Sequence, residues 1–300
     1  MTAGIGDLIE CVKERLNVLN RSLLADFAPD GYLRQVNGIR TYNRIPPDVK
    51  ATCQKIMGQV GGEGLEDYHR LILLMLIRDF DNRPKKQRYP EPVRELLAEQ
   101  FRRIADHIAK GRSGPYLFSS DSFCKDLGIC TQRLIPAGGL LLDPSSGVPR
   151  SWLLQGGLGQ RVRLAKIWRR MGGSRPLYQM HNDQRQWKRF DPAGWEAAYG
   201  IIALLLEWNP EIRGTMGSTW WLDPEVARIT PKLGYLRELP EAGGAEFFDL
   251  GEDEATTKDA ITYSPERWQC YSEGSYRPKR IGMVWDRERL IAEASLRHWI

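Results

Sequence analysis

Histidine is scarce and cysteine unclustered in this chain of 300 residues, which has four histidines (His69, His107, His181, His298) and five cysteines (Cys11, Cys53, Cys124, Cys130, Cys270). No two cysteines form a CxxC, and an odd, scattered set in a long chain argues against a disulfide framework, so reduced thiols are expected. The absence of HExxH, HxxxH or clustered Cys/His spacing removes the usual basis for a metal site, and none is expected. Neither a GxSxG elbow nor a GxxxxGK[ST] loop occurs, so serine-centred hydrolysis and P-loop nucleotide hydrolysis lack their signatures. The apolar runs at 71–77 and 201–206 are too short to span a bilayer, and acidic residues stand near the N-terminus where a signal peptide would be basic. A cytoplasmic protein without a membrane partner is the expectation. There is also no internal repeat and no low-complexity tail.

What is present is enough apolar sequence, 42%, to bury a large core, a net charge of +5, and ten tryptophans of which nine lie after residue 160. Mild basicity is compatible with an anionic substrate, a phosphorylated carrier or RNA. The first part reads as helical: Ile5, Leu8, Ile9, Val12, Leu16, Leu19 and Leu23 make one stripe, and Val93, Leu96, Leu97, Phe101, Ile104, Ala105 and Ile108 another that Gly111 should stop. A further helix is expected over 65–80. The basic loop 82–89 between them is either a solvated connection or a phosphate-backbone contact.

After residue 112 short β-like runs appear at 116–118, 133–135, 139–142 and 151–154, with a hairpin expected at 143–147. Helices are expected at 160–171, 192–208 and 256–271, the last restarting at Ser264-Pro265, and a strand at 281–285 precedes a closing helix. The alternation predicts a helical region, 1–112, followed by an α/β or α+β domain, 113–300, with a mixed sheet flanked by helices.

The stretch 151–182 is the most informative. A glycine turn, Gln155-Gly-Gly-Leu-Gly159, precedes a helix whose apolar face is Leu164, Ile167, Trp168 and Met171 and whose other face carries Arg161, Arg163, Lys166, Arg169 and Arg170. Such a basic face is either solvated surface or a neutraliser of phosphates, since glycines and a helix N-terminus suit an anion. His181 follows the strand-like run 177–180, and the carboxyl ends of strands in open α/β sheets are where ligands bind. It is a candidate general base or a surface histidine opening a polar loop. Tyr178, Ser218, Trp220 and Trp221 supply hydroxyls and flat rings in or beside expected strands. Asp223 either starts a helix with Pro224 or acts as a base.

The glycine turn resembles the Q/R-x-x-G-x-G/A loop of the GNAT acyltransferase superfamily through Gln155, Gly157 and Gly159, although these glycines stand one place early. The segment Tyr271-Ser-Glu-Gly-Ser-Tyr276 is similar to the superfamily's Y-x-x-x-G-F helix end, again with Gly274 one place early. The block 217–224 with 230–237 also resembles a recurring block of bacterial proteins to which no activity is attached. The GNAT resemblance implies a mixed sheet, coenzyme A phosphates held at Gln155–Gly159 with Arg161, Arg163 and Lys166 nearby, and Tyr271 protonating the leaving thiolate. It implies a transferase moving an acyl or aminoacyl group from acyl-CoA or aminoacyl-tRNA, a co-substrate and not a tightly bound cofactor, to an amine or hydroxyl of a small molecule. His181 would deprotonate that acceptor with Asp223 in the catalytic set, and Tyr178, Ser218, Trp220, Trp221, Arg267 and Tyr276 would bind it. The competing expectation is a non-catalytic RNA- or protein-binding module that uses the basic, tryptophan-rich surface.

Overall fold

In the computed structural model, residues 2–37, 42, 44–84, 87–111 and 116–300 are described, residues 2 and 3 by backbone alone. The chain divides into two compact units, Met1–Gln87 with Glu91–Pro136, and Arg88–Pro90 with Ala137–Ile300. Among the described residues no helix is long and apolar enough to cross a membrane.

The first unit contains α1 (Thr2–Leu19), α2 (Leu23–Asp26), α3 (Pro29–Asn37), α4 (Pro47–Arg78), α5 (Glu91–Ala109) and α6 (Asp121–Cys130). The stripe on α1 buries Ile5, Ile9, Val12 and Leu16, and the stripe on α5 buries Val93, Leu96, Leu97, Phe101, Ile104 and Ile108. The helix expected over 65–80 starts much earlier, at Pro47, where proline suits the first helical position. Its first half was hidden by glycines, and Gly61, with φ of 72°, breaks the helical geometry inside it. Residues 116–118 are not a strand; they lead into α6, whose N-cap Ser120 accepts from Phe123 N at 3.4 Å. His69 is sealed inside this unit. Its Nδ1 lies 2.5 Å from Tyr116 O and its Nε2 2.8 Å from the Tyr32 hydroxyl, so a neutral ring donates at one end and accepts at the other. Burial holds its pKa at about 4. In the basic loop, Arg83 turns inward to donate to Leu76 O and Cys130 O, while Lys85 and Lys86 lie outside the described residues.

The sheet expected after the helical region is there, six-stranded and mixed, flanked by helices. In chain order its elements are β1 (Ile135–Ala137), β2 (Leu140–Ser146), α7 (Leu158–Met171), β3 (Leu177–Asn182), α8 (Pro192–Trp208), β4 (Gly214–Thr219), α9 (Pro224–Ile229), α10 (Tyr235–Ala242), β5 (Glu246–Asp249), α11 (Glu254–Ile261), α12 (Pro265–Ser272), β6 (Ile281–Asp286) and α13 (Arg287–Leu296). The strand order is β1-β2-β3-β4-β6-β5. β3 and β4 are parallel, while β2 with β3, β4 with β6 and β5 with β6 are antiparallel.

The expected hairpin at 143–147 is instead a bulge inside β2. Ser145 N donates to Asp143 Oδ1 at 2.8 Å, and the register to β3 shifts between Asp143 and Ser146, which accommodates Pro144 and its missing N–H. The expected strand at 151–154 is a 3-10 turn, Arg150–Leu154. One face of the sheet buries Leu177, Met216, Phe248 and Val284 against Leu164, Ile167 and Met171 of α7. The other face carries Trp285 against Tyr199 of α8, ring centroids 5.1 Å apart.

Candidate active site

β3 and β4 are joined by the crossover helix α8, and they pair through Tyr178 with Thr215 and Gln179 with Met216. Past these residues β3 continues to Asn182 against β2, and β4 continues to Thr219 against β6. Met180–Asn182 and Gly217–Thr219 thus form the carboxyl ends of two parallel strands, where open sheets receive ligands. Because side chains alternate, Gln179, His181, Met216 and Ser218 share the face that α7 covers. His181 is half-buried and Ser218 exposed, one on each of these two strand ends. Met180 lies on the opposite face, where a Cβ on Gly217 would come within 3.1 Å of its Cε. Tyr178 is fully buried there, and burial pushes its phenol pKa up.

The glycine turn is built differently from its sequence reading. Gly156, at φ of 72°, is the position that requires glycine; a Cβ there would meet Gln160 Nε2 at 2.5 Å. Gly157 and Gly159 are exposed, and added Cβ atoms would find open space. Gln160 fixes the turn in place: its Nε2 donates to Asp249 O at 2.8 Å and Gln155 O at 3.2 Å, and its Oε1 accepts from Asp249 N at 2.8 Å. Gly157 at the N-cap offers no side chain, and the first turn of α7 has no acid, so the positive end of the helix is left uncompensated. Arg161, Arg163 and Lys166 are exposed, with Arg163 above the Phe248 ring at 5.8 Å. This attachment to β5 separates Gln155–Gly159 from His181 on β3: three strand spacings across the sheet amount to about 14 Å.

A second gathering forms after β4. The block 217–224 does not stay extended. β4 ends at Thr219, whose hydroxyl accepts from Trp221 N at 3.4 Å, and Trp220–Leu222 is a 3-10 turn. Asp223 caps α9 by accepting from Glu225 N at 3.1 Å, and its Oδ2 accepts from Lys279 N at 3.2 Å. Burial raises its carboxyl pKa. Trp221 meets Phe190 edge-on at 4.9 Å, tying the turn after β4 to the turn after β3. Trp220 lies under the guanidinium of Arg267 at 4.5 Å, and the buried Tyr276 feels the charges of Asp223 and Arg267. Trp220, Asp223, Arg267 and Tyr276 are therefore brought together, through contacts that sequence spacing does not reveal.

Two open cavities adjoin these residues. Asp223, Gln160, Arg163, Arg277 and Lys279 help line one of about 530 Å³. Tyr271, beneath Arg277 at 5.0 Å, lines a groove of about 930 Å³ between α11 and α12 with Trp268 and Lys258. Tyr271 and Tyr276 thus serve different surroundings, one in a groove and the other sealed. Gln160, Phe190 and Lys279 were not read as site residues; only Gln160 had a signal, a polar residue in the first turn of a helix facing a sheet. Among the described residues no three His, Cys, Asp or Glu side chains gather as a metal site needs.

No protein-family model matches the sequence, and no curated protein matches it. The chain is similar to solved structures of an acyltransferase in complex with decanoyl-CoA and teicoplanin, and of an acyltransferase mutant in complex with octanoyl-CoA. In both, the TM-score is 0.51 at 14% identity, over 89% of this chain and 79% of the other. At that identity the likeness is one of fold, and the fold it shares is that of acyltransferases solved with acyl-CoA.

Proposed function

We propose that the chain is an acyltransferase that takes its acyl group from acyl-CoA and delivers it to an amine or hydroxyl. The observation that carries this reading is the parallel pair β3 and β4, which share the register Tyr178 with Thr215 and Gln179 with Met216 and carry His181 and Ser218 toward their carboxyl ends. The carboxyl ends of neighbouring parallel strands in an open sheet are where a ligand such as coenzyme A is received. The turn after β3 holds the exposed Lys188, a cationic group suited to the phosphates of such a carrier, while Arg185 beside it is bound by both oxygens of Asp183. The shared fold with acyl-CoA-bound acyltransferases supports the same choice. His181, at the end of β3, takes the proton from the acceptor as its nitrogen or oxygen attacks the thioester carbonyl. The carbon–sulfur bond then breaks, and coenzyme A leaves as a thiolate that takes up the proton held by His181.

The test is calorimetric binding of a series of acyl-CoAs, followed by thiol release with a panel of amines and alcohols. His181→Ala should lower turnover by about 10²–10⁴-fold and leave acyl-CoA affinity unchanged. Failure of every acyl-CoA to bind overturns the proposal, and undiminished turnover in the variant removes His181 from the chemistry. A second reading, aminoacyl-tRNA as carrier, is favoured by one feature, the exposed row Arg161, Arg163, Lys166 and Arg169 on α7. It requires charged tRNA to bind with a steep salt dependence and to support transfer. Binding of uncharged RNA alone, without turnover, would instead favour a binding module.

A further inference from the structure

Between Asp143 and Asp183 the chain carries no acidic residue and seven basic ones, five of them on α7. Of the five, Arg170 is paired, with Glu246 at 3.1 Å and Asp286 at 3.0 Å, and Arg163 lies over Phe248 beside a cavity that acids share. Arg161, Lys166 and Arg169 are exposed and make no ion pair among the described residues. On the neighbouring strand β5, Asp249 pairs with Lys279 at 3.2 Å and Glu246 with Arg170, so neither neutralises these three. Apolar side chains stand among the cations. Leu154 is 78% exposed, Leu158 76% and Val162 46%, while Leu164, Ile167 and Met171 on the other side of α7 are buried. At 3.6 residues per turn, Leu158, Val162, Ala165 and Arg169 run along the ridge opposite those buried residues, with Arg161 on one flank and Lys166 on the other. Leu154 precedes this ridge across the glycine turn, which is tied to α7 where Gln160 Nε2 donates to Gln155 O at 3.2 Å.

We propose that the glycine turn and the outward ridge of α7 form a docking surface for an anionic lipid bilayer. Leu154, Leu158 and Val162 enter the headgroup layer, and Arg161, Lys166 and Arg169 meet its phosphates. The cations alone suit any polyanion; the aliphatic residues choose among them. Leucine and valine offer a nucleic acid neither hydrogen bonds nor stacking faces, whereas a bilayer interface receives aliphatic and basic side chains together. The ridge is convex with a turn at its tip, and a fluid lipid layer closes around such a shape without the complementary surface that a protein partner has to supply. The absence of a spanning helix, on which the expectation of no membrane partner rested, does not bear on peripheral docking. The surface depends on neither acyl-CoA nor turnover and stands apart from the acyl transfer proposed above.

Full-length protein is sedimented with vesicles of phosphatidylcholine, with and without phosphatidylglycerol, and the bound fraction is measured. Binding to the anionic vesicles and not to the neutral ones is expected, and it should decline as salt is raised. Arg161→Gln, Lys166→Gln and Arg169→Gln combined should weaken binding by about a hundredfold, at roughly fivefold per charge. Leu154→Ser with Leu158→Ser should weaken it by about tenfold or more. Both leucines are exposed, so the melting temperature of that double variant should match the wild type. If it falls, Val162→Ser on the helix supplies the same reading without altering the turn. Absence of binding to anionic vesicles, or binding that the serine variants keep in full, overturns the proposal. Binding of bulk tRNA by the wild type and the double serine variant alike, with no binding to vesicles, overturns it and gives the surface to nucleic acid.

Discussion

At the scale of single residues, the glycine turn separates the glycine that the backbone needs from those that sequence patterning selects. Gly156→Ala places a Cβ against the Gln160 amide at positive φ and should destabilise by about 1–2 kcal/mol in urea unfolding. Gly157→Ala, with open space around it, should stay within about 0.5 kcal/mol; equal costs would refute this assignment. The motif drew attention to Gly157 and Gly159 because it is written in spacings, whereas dihedral demand is set by how the chain enters α7. His181 was legible because an apolar run followed by polar residues marks a strand end. The pairing of Arg267 with Trp220 was not, since 47 positions separate them and only the packed sheet brings them together.

At the scale of elements, helices with continuous stripes and the strands at 139–142, 177–180 and 281–285 were readable, while other short segments were not. Residues 192–208 form α8 as expected because Asp191 caps it, accepting from Gly194 N at 2.7 Å, and proline opens it. β5, four residues long, went unread, and 151–154 was mistaken for a strand when its role is to seat Trp152. That ring packs where Gly282 of β6 leaves room, and a Cβ there would collide with it. Gly282→Ala should therefore cost about 1–3 kcal/mol by overpacking and loosen the turn at 155–159 that follows Trp152. The check is chemical denaturation together with amide exchange of that turn. An unperturbed variant would show that the ring is not held by β6.

For the whole molecule, the order of a helical region and then a mixed sheet could be read from composition and periodicity, while strand order could not, because it depends on non-local pairing. In acid the first unit should lose stability through His69. His69 has a folded pKa of about 4 against 6.5 when free, so the unfolded chain takes up its proton first. Its contribution is complete above pH 6.5 and is lost as pH falls toward 4, a loss of about 3 kcal/mol to the first unit. In the second unit the shifts oppose one another: burial moves Asp223 upward, so protonation favours its folded form, while hydrogen bonds hold Asp253 and Glu266 below the usual carboxylate range, so protonation disfavours theirs. Hydrogen exchange at pH 5 compared with pH 7 should show α4 and α5 losing protection before β4 and β6; the reverse order would contradict the assignment. One contact bears on behaviour between molecules. β5 is the outermost strand of the sheet, and the Gln160 side-chain amide bonds both the N–H and the C=O of its last residue, Asp249, as a neighbouring strand would. A helix residue thus occupies the peptide groups that would otherwise template another chain, and the same glutamine that sets the glycine turn also guards the sheet against edge-to-edge association.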